Sequence, residues 1–130
     1  VDTPGKDSYE HRHAGASEVL VTSAKRWALM HELRGEAEPS LAEALTRLSP
    51  VDLVIIEGFK HERHDKIEIF RRGVGKPLLA PDDPCVIAVA SDGPVPEAGR
   101  PMLDLDDVAG IADFIVSHCR LAVRTGESVR

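Results

Sequence analysis

Glu57, Gly58 and Lys60 stand within four consecutive positions at the end of the apolar run Val51-Asp52-Leu53-Val54-Ile55-Ile56. Five of those six run residues are apolar and β-branched side chains dominate them, the composition of a strand buried on both faces. Pro50 punctuates the start of the run and Gly58 its end. Open α/β sheets bind ligands just outside the carboxyl ends of their strands. A carboxylate, a residue without a side chain and an ammonium group gathered there are therefore the leading functional cluster of the chain. The competing reading is a core strand that ends in a solvated turn.

Other residues carry chemistry of lesser reach. Asp7 reads as a helix N-cap with Glu10 closing a capping box, worth on the order of 1 kcal/mol. It also reads as an acid that touches a bound magnesium or water, and helix starts hold both kinds of group. His61 and His64 bracket Glu62 and Arg63, where they could share a metal on a turn, contact an anion through His61, or lie in a solvated loop. His11 and His13 are two apart and face different ways on a helix. Gly5-Lys6 is followed by Asp7 and Gly75-Lys76 by Pro77, so neither completes the phosphate-binding pattern G-x-x-x-x-G-K-[ST]. Cys85 and Cys119 form no C-x-x-C pair, and their apolar neighbours suit reduced core thiols of a cytoplasmic protein. Trp27 and Met30 read as packing residues.

These groups need elements to position them. The spacing predicts a short helix from Asp7 to Ala14 with Gly15 in the left-handed position beyond it, then strands over Glu18–Ser23 and Arg26–His31. Ser40 and Glu43 mark a capped helix whose stripe is Leu41, Ala44, Leu45 and Leu48, ended by Pro50. Lys66–Phe70 alternates like a half-buried strand, Cys85–Ala90 reads as fully buried, and Met102–Asp104 as a short edge strand. Asp106 or Asp107 caps a last helix with an apolar face of Val108, Ile111, Ala112, Ile115 and Cys119, and the tail from Thr125 reads as frayed. Helix, tight connection and buried strand in that order indicate a parallel α/β sheet. A length of 130 residues fits one domain, and 42% hydrophobic content supports a core. The net charge of −6 argues against nucleic acid or an anionic membrane as the main partner, while leaving room for a nucleotide held by local donors.

Taken together, these stretches resemble the MobB family of molybdopterin-guanine dinucleotide biosynthesis adaptors. Pro4-Gly5-Lys6-Asp7-Ser8-Tyr9 with Arg12 and Ala14-Gly15-Ala16 is similar to its "P-G-K-D-S" helix start. Arg26 to Met30 is similar to its "R-W-A-L-M" segment, and Asp52 to Glu62 to its strand and "E-G-F-K-H-E" loop. Val86 to Asp92 and Leu103 to Phe114 resemble "V-I-A-V-A-S-D" and "L-D-(L/I)-(D/N)-D-V-x-G-(I/L)-A-D-F". The matches fall in family order and cover most of the chain.

The resemblance implies a P-loop NTPase-like layered α/β sheet that binds GTP with Mg2+, hydrolyses it weakly, and dimerises. It implies a role beside the molybdenum cofactor guanylyltransferase, which joins GMP to molybdopterin. Carried onto this chain, Glu57 would hold or orient magnesium, Gly58 would let backbone approach a phosphate, and Lys60 would add positive charge near nucleotide or partner. Lys6, Asp7 and Ser8 would face the γ-phosphate side. Ser91 and Asp92 would read the base, a carboxylate there accepting the guanine N1 and N2 protons. The family's opening strand, Walker A loop, helix and second strand have no counterpart here, so the 130 residues correspond to the C-terminal part of that fold. The chain opens on Val1 rather than Met, as an internal stretch of a longer sequence or a shortened protein would. Without a Walker A lysine the expected hydrolysis is lost in this chain. The alternative is a dimerisation or docking module for the guanylyltransferase that binds no nucleotide.

Overall fold

Ser40 accepts a hydrogen bond from the Glu43 N–H at 3.2 Å, and the Glu43 carboxylate accepts from the Ser40 N–H at 3.1 Å. This reciprocal box starts a helix as its sequence indicates. The computed structural model describes residues 4–123, so the expected loop at Asp2 and frayed tail from Thr125 lie outside the described residues, in whole or in part. The chain divides into two compact units, Val1–Leu48 and Ser49–Arg130.

In the first unit α1 (Asp7–His13) lies against β1 (Glu18–Thr22), which pairs antiparallel with β2 (Trp27–His31). Ser23 closes the hairpin, its Oγ accepting from the N–H groups of Lys25 and Arg26. The expected cap at Asp7 is corrected. Lys6 holds the extended N-cap backbone, and no side chain caps the helix. A capping side chain must sit on the non-helical residue, and Asp7 is already helical. Its charge still lies in the first turn, where the helix dipole favours an anion. Gly15 follows the helix at φ +110°, in the region expected of it.

The two-residue period of the hairpin decides which side chains are covered. Val19 is buried, with Val21, Ala28 and Met30 half-buried, whereas Leu20 and its partner Leu29 are exposed. Trp27, opposite Thr22, shares that open face and is 70% exposed, so it is not the packing residue expected. The capped helix α2 runs only from Leu41 to Leu45, and its expected stripe stays open at Leu45 and Leu48.

The second unit carries a three-stranded parallel sheet in the order β3 (Lys66–Phe70), β4 (Val86–Ser91), β5 (Met102–Asp104). Central β4 is the fully covered strand: Val86, Ala88, Val89, Ala90 and Ser91 are buried and Ile87 is half-buried. Short 3-10 turns at Arg72–Val74, Ala80–Asp82 and Pro96–Ala98 lie in the connections. Ala80, Val86, Val89, Val95 and Ala98 form the core, with Phe70 and Leu78 against it. The last helix α3 (Val108–His118) packs on β5, and the Asp107 carboxylate caps it by accepting from the Gly110 N–H at 2.9 Å. Its half-buried positions include Ile111, Phe114, Ile115 and Val116; Val108, Ala112 and Cys119 are exposed, which corrects both the expected face and the expected core role of Cys119.

The largest correction concerns Val51–Ile56. The run is irregular rather than a buried strand, and Ile55 is 76% exposed. A strand is made by the hydrogen bonds of a neighbour, and no described segment pairs with this one. The α/β class itself stands: a parallel sheet with α3 packed on its edge strand, consistent with a P-loop NTPase-like layering.

Candidate functional site: the loop after the apolar run and its cleft

Gly58 adopts φ +83° and Phe59 φ +50°. Two successive left-handed residues reverse the chain, and the Glu62 N–H then donates to the Phe59 carbonyl at 3.0 Å to close the turn. Gly58 takes this conformation freely; Phe59 holds it at roughly 1–3 kcal/mol of backbone strain. Strain of that kind collects in loops that present side chains to ligands.

The turn carries Lys60, His61 and Arg63 to one side of a cleft of about 560 Å³ whose lining also includes Lys66, Asp83 and Cys85. The Lys66 ammonium donates to Asp83 Oδ2 at 2.8 Å, and the Cys85 N–H donates to Asp83 Oδ1 at 2.9 Å. The Lys66 hydrogen bond, reinforced by the Cys85 N–H, holds the Asp83 carboxyl below the usual carboxylate range. Asp83 thus ties the start of β3 to the start of β4. Carboxylates of Glu62 and Asp82 also line the cleft, so its charge alone selects neither sign of ligand.

Asp83 makes the unit sensitive to acid in a defined direction. A depressed folded-state value means that its contribution is present above the ordinary carboxylate value near 3.9 and disappears as pH falls through the depressed value. Urea unfolding at pH 7 and pH 3 should therefore show a smaller acid-induced loss in Asp83→Asn than in the unaltered chain. Equal losses in the two proteins would contradict the role given to this carboxylate.

The expected site residues are spread over three places. Glu57 is exposed in the irregular segment before the turn, Gly58 is the first turn residue and Lys60 reaches the cleft. Ser91 is buried at the carboxyl end of β4; its Oγ donates to Asp92 Oδ1 and accepts from the Gly93 N–H, both at 3.4 Å, while Asp92 is exposed. Lys6, Asp7 and Ser8 sit together at the start of α1 in the other unit. Magnesium takes six oxygens, commonly one or two carboxylates with phosphates and water. Glu57 offers one carboxylate, and among the described residues no three His, Cys, Asp or Glu side chains converge as metal ligands. The described residues therefore offer magnesium one carboxylate and no protein cage of their own, and His61 and His64 gain no third ligand among them. His64 instead buries its Nδ1 without a hydrogen-bond partner.

Three polar contacts escape sequence reading because their partners are distant in the chain. Glu68 accepts from the N–H groups of Leu79 and Ala80, Arg100 donates to the carbonyls of Val86 and Ala80, and His118 meets Asp65 at 2.7 Å. The polar position in Lys66-Ile67-Glu68-Ile69-Phe70 is the one signal that pointed toward any of them.

Comparison with known proteins places these residues in context. Residues 1–92 match the family model described as "MobB: Molybdopterin guanine dinucleotide synthesis protein B". The chain is 50% identical over 119 residues to the "Molybdopterin-guanine dinucleotide biosynthesis adapter protein" of Escherichia coli (strain K12), covering 89% of this chain and 67% of that protein. It is 40% identical over 116 residues to the protein of the same description from Haemophilus influenzae, covering 88% of this chain and 64% of that protein. The chain thus spans about two thirds of the length of these curated relatives. Every expected site residue, from Lys6 to Asp92, falls inside the matched region.

Proposed function

This chain belongs to the MobB family, molybdopterin guanine dinucleotide synthesis protein B, and on that premise we propose that it acts as an adapter in the making of molybdopterin guanine dinucleotide. The observation that carries the proposal is 50% identity across 89% of the chain to a relative described as such an adapter. Its proposed partner is the guanylyltransferase that joins GMP to molybdopterin. A homodimer and a cytoplasmic location belong to the same reading. The exposed hairpin face of Leu20, Leu29 and Trp27 offers a second copy apolar area to bury. No helix among the described residues is long and apolar enough to cross a membrane.

The finer part of the proposal is GTP. Lys60 would meet an anionic group at the cleft, Gly58 would leave its backbone open to a phosphate, and Glu57 would act as the acid facing magnesium held with the nucleotide. Ser91 and Asp92 stand at the end of a parallel strand, where a base can be read. Lys6, Asp7 and Ser8, at the start of α1 in the other unit, are proposed separately as a phosphate contact. Magnesium, when bound with GTP, would neutralise phosphate charge; of the contacts above only that of Glu57 depends on it.

One observation favours a second reading. The 130 residues contain no G-x-x-x-x-G-K-[ST] loop, so a docking module without nucleotide is the alternative. Retention of the guanylyltransferase on immobilised chain, with and without GTP, separates the readings when paired with calorimetry. Heat on adding GTP that is lost in Glu57→Ala supports the nucleotide part. Partner retention without any GTP heat supports the docking reading, and no retention in either condition overturns the adapter proposal.

A further inference from the structure

His31, the last residue of β2, has a carboxylate on each ring nitrogen. Nδ1 lies 3.1 Å from Glu18 Oε1 and Nε2 lies 3.4 Å from Glu36 Oε2. A neutral imidazole carries one N–H and one lone pair, whereas an ionised carboxylate only accepts. A neutral ring placed here would set a lone pair against a carboxylate oxygen on one side. The doubly protonated ring donates on both sides.

We propose that His31 is a proton-dependent staple: as an imidazolium it ties the segment ending at Glu36 to β1, and on losing its proton it releases one of the two carboxylates. The groups that face the ring are Glu18, directly across the hairpin from His31, and Glu36, three residues past the turn start at Leu33. The neighbouring cations are engaged elsewhere, Arg12 with Glu32 at 3.6 Å and Arg34 with the Gly15 carbonyl. The Glu36 contact is the longer one and lies on coil, so it is the one that opens. The main chain at the base of the hairpin stays closed meanwhile, because the Glu32 N–H donates to the Ser17 carbonyl at 2.8 Å. Hydrogen bonds to Glu18 first and to Glu36 second hold the His31 titration above its ordinary value. A raised folded-state value means that the staple's contribution is complete below the unfolded value near 6.5 and is lost as pH rises through the raised one.

The staple borders the open face of the hairpin, since Glu18 and His31 are next on that face to Leu20 and Leu29. Its release raises the local charge from one net negative to two at the edge of an exposed apolar patch. A partner docking there would meet a more acidic rim at higher pH.

Proton NMR titration of the full 130-residue chain tests this. The His31 ring should titrate with a midpoint above about 6.5, and the Glu36 backbone amide shift should follow the same midpoint. Glu18→Gln should lower the midpoint most and Glu36→Gln less, and His31→Gln should abolish the titration of the Glu36 amide in that range. If Glu18→Gln fails to fold, Glu36→Gln on the coil segment carries the test alone. A midpoint at or below the ordinary value overturns the proposal. So does a Glu36 amide that ignores the His31 titration, because a raised midpoint without that coupling shows an ion pair and no staple.

Discussion

Replacing Arg100 by alanine is expected to destabilise the Ser49–Arg130 unit by about 3 kcal/mol. Its Nε donates to the Val86 carbonyl at 2.6 Å and its Nη2 to the Ala80 carbonyl at 3.1 Å; Nη1 adds the Gly99 carbonyl at 3.2 Å. Val86 and Ala80 are core residues with essentially no solvent exposure. Truncation leaves their carbonyls without a charged donor where water has little access, and a buried acceptor left unmade costs about 1–3 kcal/mol. Small domains hold only about 5–15 kcal/mol in total. With an m-value of about 1.5 kcal/mol/M, the urea midpoint should fall by about 2 M. Arg100→Lys keeps the charge on one nitrogen, which cannot span carbonyls that the guanidinium meets from separate atoms, so it should recover less than half of the loss. An Arg100→Ala protein within about 0.5 kcal/mol of the unaltered chain would show that the carbonyls find other donors.

Glu68→Gln should cost about 2 kcal/mol by the complementary route. The Glu68 oxygens accept separately from the Leu79 N–H at 2.8 Å and the Ala80 N–H at 2.9 Å. A glutamine amide keeps one acceptor and turns an NH2 toward the other N–H, donor against donor. Ala80 is therefore held at its N–H by Glu68 and at its carbonyl by Arg100, which seats the Ala80–Asp82 turn on the sheet. The two losses should not add. Once one anchor is gone the loop relaxes and the second has less to lose, so the double variant should be destabilised by less than the sum. Strict additivity in urea unfolding would mean that the two side chains act on independent parts of the loop.

Local pattern was enough wherever the physical cause is local. The Ser40–Glu43 box needs residues three apart, and it forms. The alternating stretch Lys66–Phe70 and the apolar run at β4 both appear as strands, but the alternation misassigns the covered face of β3, where Ile69 is exposed and Glu68 half-buried. Asp107, one of two candidates for the last cap, takes the position because its side chain reaches the Gly110 N–H. Asp7 shows the limit of the same reasoning: cap chemistry was legible, but the boundary between extended and helical backbone lies one residue earlier, at Lys6.

The candidate site was legible in identity and not in geometry. Glu57, Gly58 and Lys60 were found from residue types after an apolar run, and Gly58 does sit at a left-handed turn. The run itself is neither paired nor buried, because hydrophobic composition states a need for a neighbour without supplying one. The same composition placed Trp27 and Cys119 in the interior, and both are exposed on faces that no described element covers.

Residue types and their order, by themselves, determined the α/β class, the strands β3, β4 and β5, and membership in the MobB family, because each rests on short-range period or on the identity of residues in a row. Tertiary structure alone decided that Asp83 locks Lys66, that Glu68 and Arg100 clasp Ala80, and that His31 stands between two carboxylates. Those contacts join residues 5 to 20 apart through hydrogen bonds whose energy depends on distances below about 3.5 Å, a quantity that no linear pattern encodes.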